Sequence, residues 1–171
     1  MKIDNLEQLF LHGLKYVYDA EQQLTEALPK LVQASSSPEL RQAFEQHLQE
    51  TKEHVARAQQ IFKQCGQQPE SNPNAILKQM SQEVEQMIQN TDEGPVRDAA
   101  LIVAGNQAEH YEMAAYGSLK NFAELLGKQE AVQILQKTLD EEKKADALLT
   151  KIGESSVNQQ ALHRSAAATA R

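Results

Sequence analysis

Glu112, Glu142 and Asp146 fall on sequence lines whose other members are apolar, and Glu21 falls between Val17 and Leu24 in the same way. An ionised carboxylate is seldom set on an inward helix face without a counter-charge. Their heights agree when counted from the nearest turn: Glu21 lies 15 residues before Ser36 and Glu50 14 after it, while Glu112 lies 16 before Lys128 and Glu142 14 after it. A turn further along, Tyr18, His54 and Asp146 each lie 18 residues from their turn and Glu109 lies 19, which makes a second layer. Carboxylates facing one another across helices about 10 Å apart repel unless they are protonated or bridged by cations. Two divalent ions would relieve that repulsion, and hard oxygen donors with one imidazole suit iron or manganese. The expected metal ligands are Glu21, Glu50, Glu109, Glu112, Glu142, Asp146 and His54. His54 either ligates or flanks the centre and bonds a carboxylate, because Thr51 beside it holds the core line. A one-residue change of phase would turn Glu50 outward and exchange Glu141 for Glu142. His12, His47 and His163 have no comparable company and read as ordinary polar residues. Tyr18, Tyr111 and Tyr116 lie within a turn or two of the carboxylates, where they would bond ligands, pass electrons or simply pack.

Helices must position these groups. Asp4 and Glu7 form a capping-box pattern, after which Leu6, Phe10, Leu14, Val17, Leu24, Leu28 and Leu31 recur at helical spacing over about residues 4 to 34. Ser37 and Pro38 cap and open a second helix reaching about Cys65, with a core line of Phe44, Leu48, Thr51, Val55, Ala58 and Phe62. Residues 66 to 95 hold Gly66, Pro69, Pro73, Gly94 and Pro95, yet Ile76, Met80, Val84 and Met87 between them make an amphipathic stripe. That stripe either packs on its own chain or meets a second copy. A third long helix opens at Pro95 and stops at Gly127, and a fourth ends at Gly153. The expected domain spans residues 1 to 153, with 154 to 171 a mobile tail. Two long antiparallel hairpins joined by one long crossover carrying a short helix predict an all-α, ferritin-like four-helix bundle. A 91-residue offset that pairs Glu21 with Glu112, Leu28 with Leu119, Leu48 with Leu139 and Glu50 with Glu141 hints at duplicated hairpins.

Composition narrows the functions. Aromatics are 5% of 171 residues and Trp is absent, which favours helix over sheet. The net charge of −7 repels phosphate backbones and anionic lipid, and no apolar run approaches the roughly 20 residues that span a bilayer, so neither nucleic acid nor membrane is an expected partner. The single Cys65 forms no internal disulfide and the start MKIDNLEQLF carries no export pattern, which predicts a cytoplasmic protein. Hydrolytic triads and phosphate loops have no counterpart here.

The stretches VYDAEQQL (17 to 24), HLQETKEHVARAQQIF (47 to 62), VRDAALIVAGNQAEHYEMAAYGSL (96 to 119) and LDEEKKAD (139 to 146) resemble the YciF/YciE-type (DUF892) stress-protein family, in order and spacing, over about residues 4 to 152. The resemblance implies a ferritin-like homodimer linked to bacterial stress responses, with no settled activity. It also carries over Glu21, Glu50, Glu109, Glu112 and Glu142. Well-studied di-iron bundles pair Glu with His three residues later on two helices. Here His54 comes four after Glu50, and Asp146 follows Glu142 where the second His would stand. The classes in play are a di-metal oxidoreductase or ferroxidase-like protein, a metal-stabilised structural dimer, and a metal-free bundle.

Overall fold

Alternating apolar positions and punctuating Ser, Pro and Gly residues give a chain that is helical wherever it is regular. The computed structural model describes residues 2–168, and no strand occurs among them. The elements are α1 (Leu6–Ala34), α2 (Pro38–Gln64), α3 (Ala75–Asn90), α4 (Pro95–Leu125), α5 (Gln129–Ile152), a π-helical segment (Gly153–Val157) and α6 (Asn158–Ala168). No helix among the described residues is long and apolar enough to cross a membrane.

The cap of α1 falls one residue later than its pattern predicts. Asn5, not Asp4, accepts the Gln8 N–H at 2.9 Å, and Gln8 returns the bond to Asp4 N–H at 2.8 Å. Ser37 caps α2 as expected, accepting from Leu40 N–H, with Pro38 in the first turn. Gly66 and Gly127 close α2 and α4 at φ of +67° and +70°, the left-handed conformation that lets Gln67 and Lys128 reach back to Phe62 and Ala123. Gly153 does not do this. Its φ is −58°, so the helix runs on through a π turn into α6, and Val157 is buried against Ile102, Leu149 and Ile152. The expected boundary at Gly153 therefore falls where the chain continues as helix, and residues 169 to 171 of the expected tail lie outside the described residues.

Helix α1 packs on α2, α4 on α5, α1 on α4 and α2 on α5. Their apolar faces form two buried clusters. One gathers Phe10, Leu14, Phe62, Leu119 and Leu135; the other gathers Leu28, Leu40, Phe44, Leu101 and Leu149. Helix α3 lies against α1 and α4 and contributes buried Leu77, with Met80, Val84 and Ile88 partly buried beside it. Ile76 and Met87, the other members of the predicted stripe, are exposed. Asn74 pins the start of α3: its Oδ1 accepts from Leu77 N–H, its own N–H donates to Asp19 at 2.8 Å, and its Nδ2 donates to the Tyr111 hydroxyl at 2.7 Å. At the other end of the molecule, Asp98 on α4 accepts the Ser36 and Ser37 N–H groups at 2.7 and 2.8 Å, fastening the α1–α2 turn.

Candidate metal centre

Six ionisable side chains occupy the interior among the apolar residues, contributed by all four long helices: Glu21 from α1, His47 and His54 from α2, Glu109 and Glu112 from α4, and Glu142 from α5. All are 5% exposed or less. Two groups of donors form. In one, an atom each of His47, Glu109, Glu112 and Glu142 lie within 4.8 Å of one another; in the other, Glu21, His54 and Glu142 do so. Glu142 belongs to both.

His54 Nδ1 lies 3.0 Å from Glu142 Oε1 and 3.3 Å from Glu21 Oε1, while His54 Nε2 donates to Glu141 at 2.9 Å. Glu141 is itself held by the Arg57 guanidinium. His47 repeats the arrangement. Its Nε2 lies 3.1 Å from Glu109 and 3.8 Å from Glu142, and its Nδ1 lies 3.6 Å from Glu50. Each imidazole therefore sits between buried carboxylates and one carboxylate nearer the surface. The Tyr116 hydroxyl donates to Glu21. Tyr111 and Tyr18 do not join the centre; their hydroxyls accept from Asn74 and Gln59.

Burial opposes every one of these charges. It raises the Glu21 pKa, and raises those of Glu109 and Glu112 well above the usual carboxylate value; for Glu112, the neighbouring Glu21, Glu142 and Glu109 add to the rise. Burial also works against protonated histidine, but surrounding carboxylates outweigh it. Glu142 and Glu21 lift His54 to about 11, and Glu50, Glu109 and Glu142 lift His47 to about 9. Even so, both oxygens of Glu112, Oε2 of Glu142, and one oxygen each of Glu21 and Glu109 are buried without a hydrogen-bond partner among the described residues. An oxygen-rich donor set left unsatisfied in this way, with two imidazoles, fits a hard or borderline divalent cation.

Of the predicted site residues, Glu21, His54, Glu109, Glu112 and Glu142 come together. Glu50 does not enter either group: its side chain is 31% exposed and lies outside His47. Asp146 also stands apart, beside the exposed His110 at 3.2 Å. His47, predicted to be an ordinary polar residue, is instead 5% exposed and faces Glu109. The missed signal is the seven-residue series Leu40, His47, His54 and Ile61, all buried on one face of α2. The 91-residue offset that pairs Glu50 with Glu141 finds a counterpart here, since both flank a histidine of α2.

Fold and site define an all-helical protein whose long helices enclose a carboxylate–histidine cluster able to hold a metal ion. The family described as a domain of unknown function, DUF892, matches residues 5–162. The chain is 40% identical over 169 residues to protein YciF of Escherichia coli strain K12, covering 94% of this chain and 98% of that one. The chain belongs to this DUF892 family of YciF-like stress proteins. The crystal structure of the E. coli stress protein YciF superposes with a TM-score of 0.87 at 39% identity, over 91% of this chain and 99% of that one. YcfI of Rhodopseudomonas palustris, described as a candidate structural protein, gives a TM-score of 0.83 at 38% identity, over 87% and 95% of the two chains. A Xanthomonas campestris protein at 22% identity shares the fold, with a TM-score of 0.76 over 94% and 99%.

Proposed function

We propose that this chain is a ferritin-like antiparallel four-helix bundle, with α3 on its long crossover, that acts as a cytoplasmic stress-response protein holding two divalent cations, iron or manganese. The observation that carries this is Glu142: wholly buried, common to both donor groups, and facing the imidazole of His54 at 3.0 Å and that of His47 at 3.8 Å. A carboxylate so placed would serve both sets of residues that hold an ion. Glu21, His54 and Glu142 would hold one, and His47, Glu109, Glu112 and Glu142 the other. Iron, when bound, supplies one-electron exchange between its ferrous and ferric states. The protein's part is orientation and exclusion of water. Glu141, locked by Arg57, fixes the ring and tautomer of His54, and Glu50 does the same for His47 less rigidly. Tyr116 holds Glu21 and keeps a proton on its own hydroxyl, whose pKa burial raises well above its usual value. Glu50 stands behind His47 outside the ligand set, and Asp146 takes no part in it.

The second reading is a metal-free or structural protein, and it is supported by the same histidines. With His47 and His54 protonated and burial favouring neutral carboxyls at Glu109 and Glu112, the cluster loses much of its excess negative charge without a cation. The candidate structural role described for YcfI agrees with it. Metal analysis of protein purified without added metal or chelator decides the matter: near two equivalents of iron or manganese supports the first reading, and none after anaerobic Fe(II) addition removes it. In either case we propose a homodimer, supported by the exposed apolar side chains Ile76, Met87 and Val103 on α3 and α4.

A further inference from the structure

Between α1, α3 and α4 lies a partly open cavity of about 50 Å³ that ends at His47 and Glu109. Its walls are Leu28, Leu31, Met80, Val84, Ile88 and Ala104. Lys30 on α1 and Glu85 on α3 line its outer end and form an ion pair there, both substantially exposed. A second cavity, of about 80 Å³, reaches the same His47 and Glu109 from between α2 and α5, and its lining includes Gln46, Glu50 and Lys144. The two approaches thus differ in chemistry: Gln46, Glu50 and Lys144 stand among Ala43, Phe44, Leu148 and Leu149 on the α2–α5 side, whereas between its outer ion pair and the centre the α3 side is hydrocarbon apart from Ser81.

A water molecule needs two to four polar partners to occupy a buried space, and apolar cavities stay dry; an apolar cavity of about 150 Å³ takes up benzene or xenon. Apart from Ser81 and the Lys30–Glu85 pair at the outer end, the walls beneath α3 offer hydrocarbon as far as His47 and Glu109, and the volume is about a third of that figure, which suits a diatomic gas or a single xenon atom. A hydrated cation or a peroxide would have to shed hydrogen bonds that these walls do not return. We infer that the α3-side cavity is a binding chamber for a small, uncharged, apolar molecule of the dioxygen class, held against the His47–Glu109 end of the centre, while charged ligands approach past Glu50. The delivery role rests on the metal-binding reading above; occupancy of the chamber does not.

The test uses xenon as the probe, in pressurised crystals of the whole protein, with metal content measured on the same preparations. The parent is expected to show xenon against Val84 and Ile88. Ala27→Leu, at a wall position on α1, should abolish it while binding metal like the parent. Ala104→Met fills the cavity from α4 and serves where the first variant does not fold. Ordered water in place of xenon, no xenon in the parent, or unchanged xenon in folded filling variants each overturns the chamber. Xenon bound in a parent that takes up no metal leaves the chamber standing and sinks the metal reading instead.

Discussion

His47 and His54 stand seven residues apart on α2 with ring centroids 6.4 Å apart and planes inclined at 71°. Seven residues are close to two helical turns, so one face of one helix supplies an imidazole to each donor group. Behind each ring stands a further carboxylate, Glu141 within hydrogen-bond distance of His54 at 2.9 Å and Glu50 more loosely placed, 3.6 Å from His47.

Removing the charge behind one ring should therefore weaken metal binding without touching a ligand. Glu141→Gln is expected to lower affinity about 10- to 100-fold, as loss of an orienting partner does elsewhere, with the helical circular-dichroism signal unchanged. Competition against a chromophoric chelator measures it. Equal affinity in parent and variant would mean that His54 does not ligate.

Glu112 has two buried oxygens and no partner for either among the described residues, so it costs stability in metal-free protein. Glu112→Leu should stabilise the metal-free form by about 1 kcal/mol or more and reduce the cations bound per chain. Urea unfolding beside metal analysis gives both quantities. A less stable metal-free variant with unchanged metal content would show Glu112 to be structural.

The two forms should respond oppositely to pH. An unfolded histidine loses its proton near 6.5, whereas His47 keeps its own to about 9 and His54 to about 11. Their raised values give stability that is fully present below 6.5 and is lost as pH climbs through the folded values; the raised carboxyls of Glu21, Glu109 and Glu112 act in the same sense above their ordinary range. Metal-free protein should melt at lower temperature as pH rises from about 6.5 to about 9. Cation binding displaces these protons, so the gap between metal-loaded and metal-free melting temperatures should widen over the same interval. A constant gap would place the bound ion elsewhere.

Charge on the outward face of α3 and α4 should separate protomers. Met87→Glu with Val103→Lys, both exposed, is expected to give a folded monomer by light scattering if the parent is a dimer. Met80→Glu, by contrast, puts charge against the packed interior and should destabilise the single chain. A parent that is monomeric, or a Met87/Val103 variant that remains dimeric, moves the interface away from this face.

Most of the helical layout could be read from the chain because Phe10, Leu14, Leu28, Leu101, Leu119, Leu135 and Leu149 all recur at helical spacing and are all buried. Glu21, Glu112 and Glu142 were visible as interruptions of those lines. His47 was not, because the apolar line through Leu48 and Val55 runs beside the true centre of the α2 face. One residue is about 100° of rotation, enough to put Leu48 and Val55 on the inward line in place of His47 and His54. The end of the fourth helix before Gly153 was legible, since α5 stops at Ile152; the π turn and α6 beyond it were not, because the residues after Glu154 show no clear apolar face and it is the burial of Val157 that ties them to the bundle.

Asp98 has a consequence for how the molecule comes apart. It lies on α4 yet holds the backbone of the α1–α2 turn through Ser36 and Ser37. The first hairpin cannot satisfy its own turn, and Asp98, itself only 2% exposed, cannot be left bare once that turn departs. Opening either hairpin strands polar groups on the other, so the halves are expected to exchange their amide hydrogens together, as one cooperative unit, and not as two independent repeats of an ancestral pair of helices.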